Sequence, residues 1–128
     1  MRILLRTLML LCLSWCLPHA MRVARAQNIS TGAVTITSMG CNTSGPAGTA
    51  GTACFLYVSG PAVGPAGCSS TSIRWDPTQS PNGQVTLAQL TAAFLAGQQV
   101  VFVLNNSCWA EWPAYPTIFY YQITGPPS

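Results

Sequence analysis

The segment Cys-Trp-Ala-Glu-Trp, residues 108–112, concentrates a cysteine, two indole rings and a carboxylate in one short stretch. A carboxylate can act as a general acid, a general base or a nucleophile when a second carboxylate lies near it. Glu111 and Asp76 are the only acidic residues of the sequence, so they form the one candidate pair for glycoside hydrolysis. Nothing in the sequence pattern brings the two together, and we therefore expect a protein that is not an enzyme.

The N-terminus has the features of a secretory signal peptide. Arginines precede an apolar run over residues 8–17, and residues 24–26, Ala-Arg-Ala, place small side chains where signal peptidase reads them. We predict a signal peptide over residues 1–26 and a mature chain that begins at Gln27. The apolar run of about ten residues is shorter than the roughly 20 that a membrane-spanning helix needs. A membrane anchor is the alternative, because the basic stretch over residues 21–25 extends the flank.

Removal of the signal peptide changes the charge of the chain. Arg74, Asp76 and Glu111 then remain as the strongly ionisable side chains, without any lysine or histidine, and one positive against two negative groups gives a net charge of −1. A nucleic-acid binder needs several cations to displace counterions from phosphates, so nucleic acid is excluded as a partner, and so is an anionic membrane surface. Zinc and calcium sites need clusters of Cys, His or carboxylate ligands. We expect no metal and no cofactor.

Four cysteines remain in the mature chain: Cys41, Cys54, Cys68 and Cys108. In an exported chain of about 100 residues, such cysteines usually form disulfides that support a thin hydrophobic core. Two disulfides are therefore predicted, and composition alone leaves their three possible pairings open.

Hydrophobic periodicity predicts five strands and one helix in the mature chain. The helix has Thr86 as an expected N-cap, Gln89 three residues later to complete a capping box, and Gly97 as its terminator. In chain order the predicted elements are strands at 33–39, 54–59 and 68–75, a helix at about 87–96, and strands at 99–105 and 117–124.

A five-stranded barrel with its helix between the third and fourth strands is an OB-fold. We therefore predict that residues 27–128 form a single, mainly β, OB-fold-like domain; an open antiparallel sheet with one helix across it is the alternative. In such a barrel the end of strand one meets the start of strand two, and the start of strand three meets the end of strand four. This topology favours the pairs Cys41–Cys54 and Cys68–Cys108 over Cys54–Cys68 with Cys41–Cys108.

Three stretches carry a resemblance to a known family: "CFLYVSG" at 54–60, "IRWDPT" at 73–78, and "LAQLTAAFLAGQQVVFVLNNSCW" at 87–109. They resemble the B subunit of subtilase cytotoxin and the small exported bacterial proteins similar to it, over roughly residues 53–112. The resemblance implies an OB-fold, export from a Gram-negative bacterium, and a ring of five subunits that binds cell-surface glycans and carries a separate A subunit. No sugar-binding residue of that family can be matched to a position in this chain, and the C-terminal disulfide loop of the toxin subunit is missing.

The tryptophan segment allows three interpretations. Trp109 and Trp112 can cover the end of the barrel beside the Cys68–Cys108 bridge, with Glu111 in solvent. Alternatively, they can form an exposed platform for an oligosaccharide on the loop between strands four and five, where OB-folds often bind ligands. In the third interpretation they are anchors for a partner protein. The candidate ligand-binding residues are Trp109, Glu111, Trp112, Asn105 and Asn106.

The sequence thus predicts a secreted or periplasmic, non-enzymatic binding module that recognises a glycan or a partner protein. The alternative is a structural or interaction protein of the periplasm or envelope that binds no sugar. The ligand, the oligomeric state and the presence of an A-subunit-like partner are left open by the sequence.

Overall fold

The computed structural model describes residues 27–45, 50–79 and 82–126, and within them five strands and one α-helix follow the predicted order. The elements are β1 (Ile29–Cys41), β2 (Cys54–Val58), β3 (Ser72–Trp75), α1 (Asn82–Leu95), β4 (Gln99–Cys108) and β5 (Pro116–Gly125). The strands form one closed barrel in the order β1-β2-β3-β5-β4, with β1 paired to both β2 and β4. The OB-fold-like barrel predicted from the sequence is confirmed. The expected signal peptide, residues 1–26, lies outside the described residues.

Strand β1 closes the barrel because it is long enough to pair on both sides. Its pairing with β4 shifts register between Ser30 and Ala33, around Gly32, which has a φ of 69°. A glycine at positive φ allows a strand to bulge and bend, as closure of a small barrel requires. The predicted strand at 33–39 began too late, because this glycine interrupts the alternation of apolar and polar residues.

The core lies inside the barrel and under α1. Alternate residues of each strand point inward, as the two-residue period of a β-strand dictates, and α1 adds Leu90 and Ala93 from one face. The buried cluster consists of Val34, Ile36, Cys54, Leu56, Val58, Ile73, Trp75, Leu90, Ala93, Val100, Phe102 and Leu104. The helix therefore covers one opening of the barrel with apolar side chains.

Helix α1 begins at Asn82, five residues before the predicted start, so Thr86 lies inside the helix and is not its N-cap. From the sequence, the residues just before Thr86 are expected to form a turn, because asparagine and glycine favour turns. Gly83 is helical here because the first turn packs on the backbone that follows β3. A Cβ added at Gly83 would lie 2.5 Å from the carbonyl oxygen of Asp76 and 2.6 Å from the carbonyl carbon of Pro77.

The C-terminal end of α1 agrees with the prediction. Gly97 has a φ of 63°, in the left-handed region that favours glycine. Its N–H donates to the carbonyl of Phe94 at 3.1 Å, and the N–H of Gln98 donates to the carbonyl of Ala93 at 2.9 Å. This pair of hydrogen bonds is the Schellman motif, which satisfies carbonyls at the end of a helix.

Both predicted disulfides are present. Cys41 and Cys54 are register partners on β1 and β2, with a Cα–Cα distance of 3.9 Å. Cys68 bonds to Cys108 at the end of β4, with a Cα–Cα distance of 5.8 Å. Strand β3 starts at Ser72, later than predicted, so Cys68 lies in the preceding turn, which is tied by a bridge between Val63 and Ser70. The Cys68–Cys108 disulfide thus fastens that turn to the end of β4.

In the described part of the chain, no helix has the length and apolar character to cross a membrane.

Candidate functional site

A cleft of about 660 Å³ opens between the N-terminal half of α1 and the part of the barrel formed by β4 and β5. The ends of β3 and β4 complete its wall. A volume of this order is typical of sites that bind small molecules. The cleft exists because α1 packs on the barrel through its Leu90 and Ala93 face, which leaves its first turns standing beside β5.

Uncharged hydrogen-bonding side chains form a large part of the lining. They are Gln79, Asn82, Thr86, Gln89, Asn105, Ser107 and Thr117. Each amide offers a donor and an acceptor, and each hydroxyl can do either. Asp76 is the one carboxylate at the cleft, and no Lys, Arg or His is found among the described residues that line it. The site therefore presents many neutral hydrogen-bonding groups and a single negative charge.

Aromatic side chains form much of the remaining lining of the cleft. The contributing residues are Trp75, Trp109, Phe119, Tyr120 and Tyr121. Phe119 and Tyr120 are 59% and 53% exposed, whereas Trp75 and Trp109 are 5% and 7% exposed. The two tryptophans are consequently part of the fixed wall, and Phe119 and Tyr120 are the exposed aromatic residues at the cleft. Exposed rings beside hydrogen-bonding side chains suit an amphipathic ligand.

Strand alternation at the end of β4 decides which of its side chains reach the cleft. Asn105 and Ser107 both line it, whereas Asn106 between them is exposed and does not line it. Residues two apart in a strand share a face. Trp109 follows directly after the Cys68–Cys108 bridge, which fixes the point where the chain leaves β4.

The Asp76 carboxylate is held in place by the turn that follows β3. Its Oδ1 accepts hydrogen bonds from the backbone N–H and the hydroxyl of Thr78, at 2.7 and 2.6 Å. This Asx-type turn orients the carboxylate without a cationic partner. The backbone of the same turn supports the first turn of α1 at Gly83. The negative charge at the cleft is therefore set by local backbone geometry.

A hydrogen bond joins the two sides of the cleft. The hydroxyl of Tyr121 on β5 donates to Oε1 of Gln89 on α1. The ring of Tyr121 also packs against the buried Phe102, with centroids 6.3 Å apart. Tyr121 thus links the helix, the core and the cleft.

Arg74 lies on the face of β3 opposite Trp75 and is enclosed by aromatic rings. Its guanidinium carbon is 3.8 Å from the centroid of the Tyr115 ring, 4.0 Å from that of Trp112 and 5.3 Å from that of Phe55. The side chain is only 6% exposed. Cation–π attraction stabilises such an arrangement, so Arg74 holds the β4–β5 loop, residues 109–115, against the outside of the barrel.

The structure divides the sequence-predicted site residues into two groups. Trp109 and Asn105 line the cleft, whereas Glu111 and Asn106 are exposed and do not line it. Trp112 is half-buried on Arg74 and does not line the cleft. Since Trp109 is only 7% exposed, the two tryptophans do not share one exposed platform.

The two acidic residues do not share the cleft. Asp76 lines the cleft, and Glu111 is exposed in the β4–β5 loop outside it. Two carboxylates on opposite sides of one bond are needed for glycoside hydrolysis. Over residues 27–45, 50–79 and 82–126 there is also no group of three or more His, Cys, Asp or Glu that could hold a metal ion.

Several lining residues escaped the sequence analysis: Trp75, Asp76 as a binding residue, Gln79, Asn82, Thr86, Gln89 and Phe119. They come from segments that are distant in sequence and meet only when α1 packs on the barrel. The one sequence signal is compositional: amides on the exposed face of a helix that has no lysine or glutamate.

Comparison of the chain with models of known protein families, with curated proteins and with solved structures gives no match.

Proposed function

We propose that this protein is an exported, non-enzymatic binding module of the toxin-B-subunit type, and that it recognises a glycan in the cleft between α1 and β5. The observation that carries the proposal is the composition of the cleft: exposed aromatic rings beside uncharged amide and hydroxyl groups. A sugar ring has an apolar C–H face that stacks on aromatic rings and a rim of hydroxyls that need donors and acceptors. OB-folds commonly bind oligosaccharides.

The two disulfides support export, because such bonds form and persist in oxidising compartments. Expression of the full chain with its own leader in a bacterial host tests this part. We expect a periplasmic or secreted product whose intact mass corresponds to Gln27 as the first residue and to two disulfides. Retention of residues 1–26 in the purified protein would contradict the signal peptide.

Glycan recognition is tested with oxidised protein of residues 27–128 on a glycan array, followed by calorimetry with each hit. Phe119→Ala and Tyr120→Ala remove exposed rings at the cleft, so we expect each to weaken binding about tenfold, the value of one lost stacking contact of roughly 1–2 kcal/mol. Ile123→Ala is the matched control: it lies on the same strand, is 37% exposed and does not line the cleft. If all three variants bind the glycan as tightly as the parent protein does, the glycan binds outside the cleft.

A partner protein is the second candidate ligand, and exposed apolar side chains outside the cleft favour it. Leu95 is 78% exposed at the end of α1 and Ile123 is 37% exposed on β5, and a partner that covered these side chains would bury apolar surface. Native mass spectrometry separates the possibilities. A stable pentamer supports the toxin-like assembly, whereas a monomer that binds no glycan supports an interaction protein of the envelope.

A further inference from the structure

We propose that the cleft is specific for uncharged sugars, that the Asp76 carboxylate excludes acidic ones, and that the indole N–H of Trp75 is a hidden donor for a ligand oxygen. This inference rests on the proposed glycan-binding function and goes beyond it, because it names the chemical class of the ligand and two residues that determine specificity.

The one cationic side chain of the barrel domain lies outside the cleft. Arg74 is the only cationic side chain after residue 26, and it is enclosed by the rings of Phe55, Trp112 and Tyr115. It does not belong to the cleft lining, to which its neighbours Trp75 and Asp76 both contribute. The strand therefore directs the one cation away from the cleft. A carboxylate or sulfate group on a sugar finds no cationic side chain there.

Asp76 supplies the repulsive element. Its Oδ1 is fixed by Thr78 at 2.7 and 2.6 Å, so the carboxylate stays at the cleft when a ligand arrives. The N-terminal turn of α1 brings a positive partial charge, and the Asp76 carboxylate beside it offsets that field. A fixed carboxylate accepts hydrogen bonds from sugar hydroxyls and repels an anionic substituent. Such a repulsive group is how binding sites reject a closely related competitor.

Trp75, a wall residue of the cleft, carries an unsatisfied donor. The residue is 5% exposed and lines the cleft, and its Nε1 is buried without a hydrogen-bond partner in the described structure. A buried N–H without an acceptor is unfavourable, and native proteins leave few of them. A ring or hydroxyl oxygen of a bound sugar would provide the acceptor. Binding then gains more than the contact itself, because it removes an existing penalty.

The experiment is a glycan array on which each neutral oligosaccharide is printed beside its sialylated and sulfated derivatives, with calorimetry on the strongest pair. We expect neutral members to bind and their acidic derivatives to bind at least about tenfold more weakly, as one uncompensated charge repulsion in a partly buried site gives. Acidic derivatives that bind as well as the neutral parents would overturn the specificity while leaving glycan recognition intact. No binding to any member would overturn glycan recognition itself, and the specificity with it.

Two variants with the same change of charge identify the discriminating group. Asp76→Asn keeps an acceptor for Thr78 and removes the charge, so the ratio of neutral to acidic affinity should fall at least about fivefold. Glu111→Gln removes the other carboxylate, which is exposed and outside the cleft, and should leave that ratio unchanged. An equal change in both variants would mean that net charge alone controls binding, and the assignment of Asp76 would be wrong.

The role of Trp75 is tested on oxidised protein of residues 27–128, which contains three tryptophans, by ¹⁵N NMR of the indole N–H groups. The signals of Trp109 and Trp112 are assigned from their single Phe variants, which leaves that of Trp75. Addition of the neutral hit from the array should shift the Trp75 indole proton downfield and slow its exchange with solvent, as a new hydrogen bond does. A Trp75 signal that stays in place at saturating glycan would overturn this part of the proposal.

Discussion

The guanidinium carbon of Arg74 lies 3.8 Å from the centroid of the Tyr115 ring, so the one cationic side chain of residues 27–128 is held by a loop and not by a carboxylate. Its Nε is buried and unpartnered, and its main contacts are the faces of aromatic rings. Trp112 and Tyr115 themselves pack edge to face, with centroids 5.3 Å apart. The cluster of Phe55, Arg74, Trp112 and Tyr115 therefore fastens the β4–β5 loop to β2 and β3, and this loop begins at Trp109, a wall of the cleft.

Substitution of Arg74 tests this cluster. Arg74→Ala removes a buried stem and the cation–π contacts, so we expect the free energy of unfolding to fall by about 2–4 kcal/mol. Arg74→Lys keeps the charge but loses the planar group that stacks on the rings, and should lose about 1–2 kcal/mol. Urea unfolding measures both, and acrylamide quenching should report greater access to Trp112.

Glu111→Gln is the control for the Arg74 variants, because it changes the charge of the same loop at an exposed side chain. Its stability should stay within about 0.5 kcal/mol of the parent protein. A lysine variant as stable as the parent would show that the stacked geometry contributes nothing to stability.

Gly83→Ala sets helix propensity against packing. Alanine is favoured over glycine inside a helix by about 1 kcal/mol, yet its Cβ would lie 2.5 Å from the Asp76 carbonyl oxygen. Backbone cannot move away as a flexible side chain can, so we expect a net loss of about 1–3 kcal/mol and a weaker affinity for the cleft ligand. Ala88→Gly, at an exposed position of the same helix, should cost about 1 kcal/mol through propensity alone. A stabilised Gly83→Ala protein would mean that α1 does not pack on this turn.

The elements of the fold could be predicted because their signals are local. Alternation identified the first strand, and runs of aromatic, β-branched and other apolar residues identified later ones. Gly97 identified the end of α1, where the left-handed φ of 63° admits glycine at no cost. The start of α1 could not be predicted in this way. Asn82 and Gly83 favour turns by themselves, and they are helical because Gly83 fits against the backbone after β3.

The cleft was less accessible to sequence reasoning than the barrel. Trp109 and Asn105 were identified because they lie at the end of a central strand, beside the loop where OB-folds often bind ligands. The contact between Gln89 and Tyr121 was not predicted, since the two residues are 32 apart in sequence and meet only after the helix has docked. The burial of Arg74 was equally hidden, because its partners lie on another strand and on a loop. Residue type indicated what could bind, and tertiary packing determined where.

The two disulfides should contribute unequally to stability. Cys41–Cys54 joins residues 13 apart and Cys68–Cys108 residues 40 apart. Loss of loop-closure entropy in the unfolded chain then predicts about 3 kcal/mol for the first and about 4 kcal/mol for the second. Urea unfolding of the two double-alanine variants, C41A/C54A and C68A/C108A, measures the difference. A larger loss for the shorter loop would show that native packing around the buried Cys54, and not chain entropy, determines the effect.

Coupling between Tyr121 and Gln89 is the most direct test that α1 is docked as described, because their hydrogen bond joins the helix to β5 across the cleft. In a double-mutant cycle of Tyr121→Phe and Gln89→Ala, we expect a coupling energy of about 0.5–1.5 kcal/mol in the free energy of unfolding, the net value of one such bond. The matched cycle uses Tyr120→Phe with Gln89→Ala. Tyr120 is the neighbouring residue, is 53% exposed and also lines the cleft, so its coupling should be close to zero. Equal coupling in the two cycles would mean that Gln89 senses β5 as a whole, and the specific contact between the two sides of the cleft would have to be abandoned.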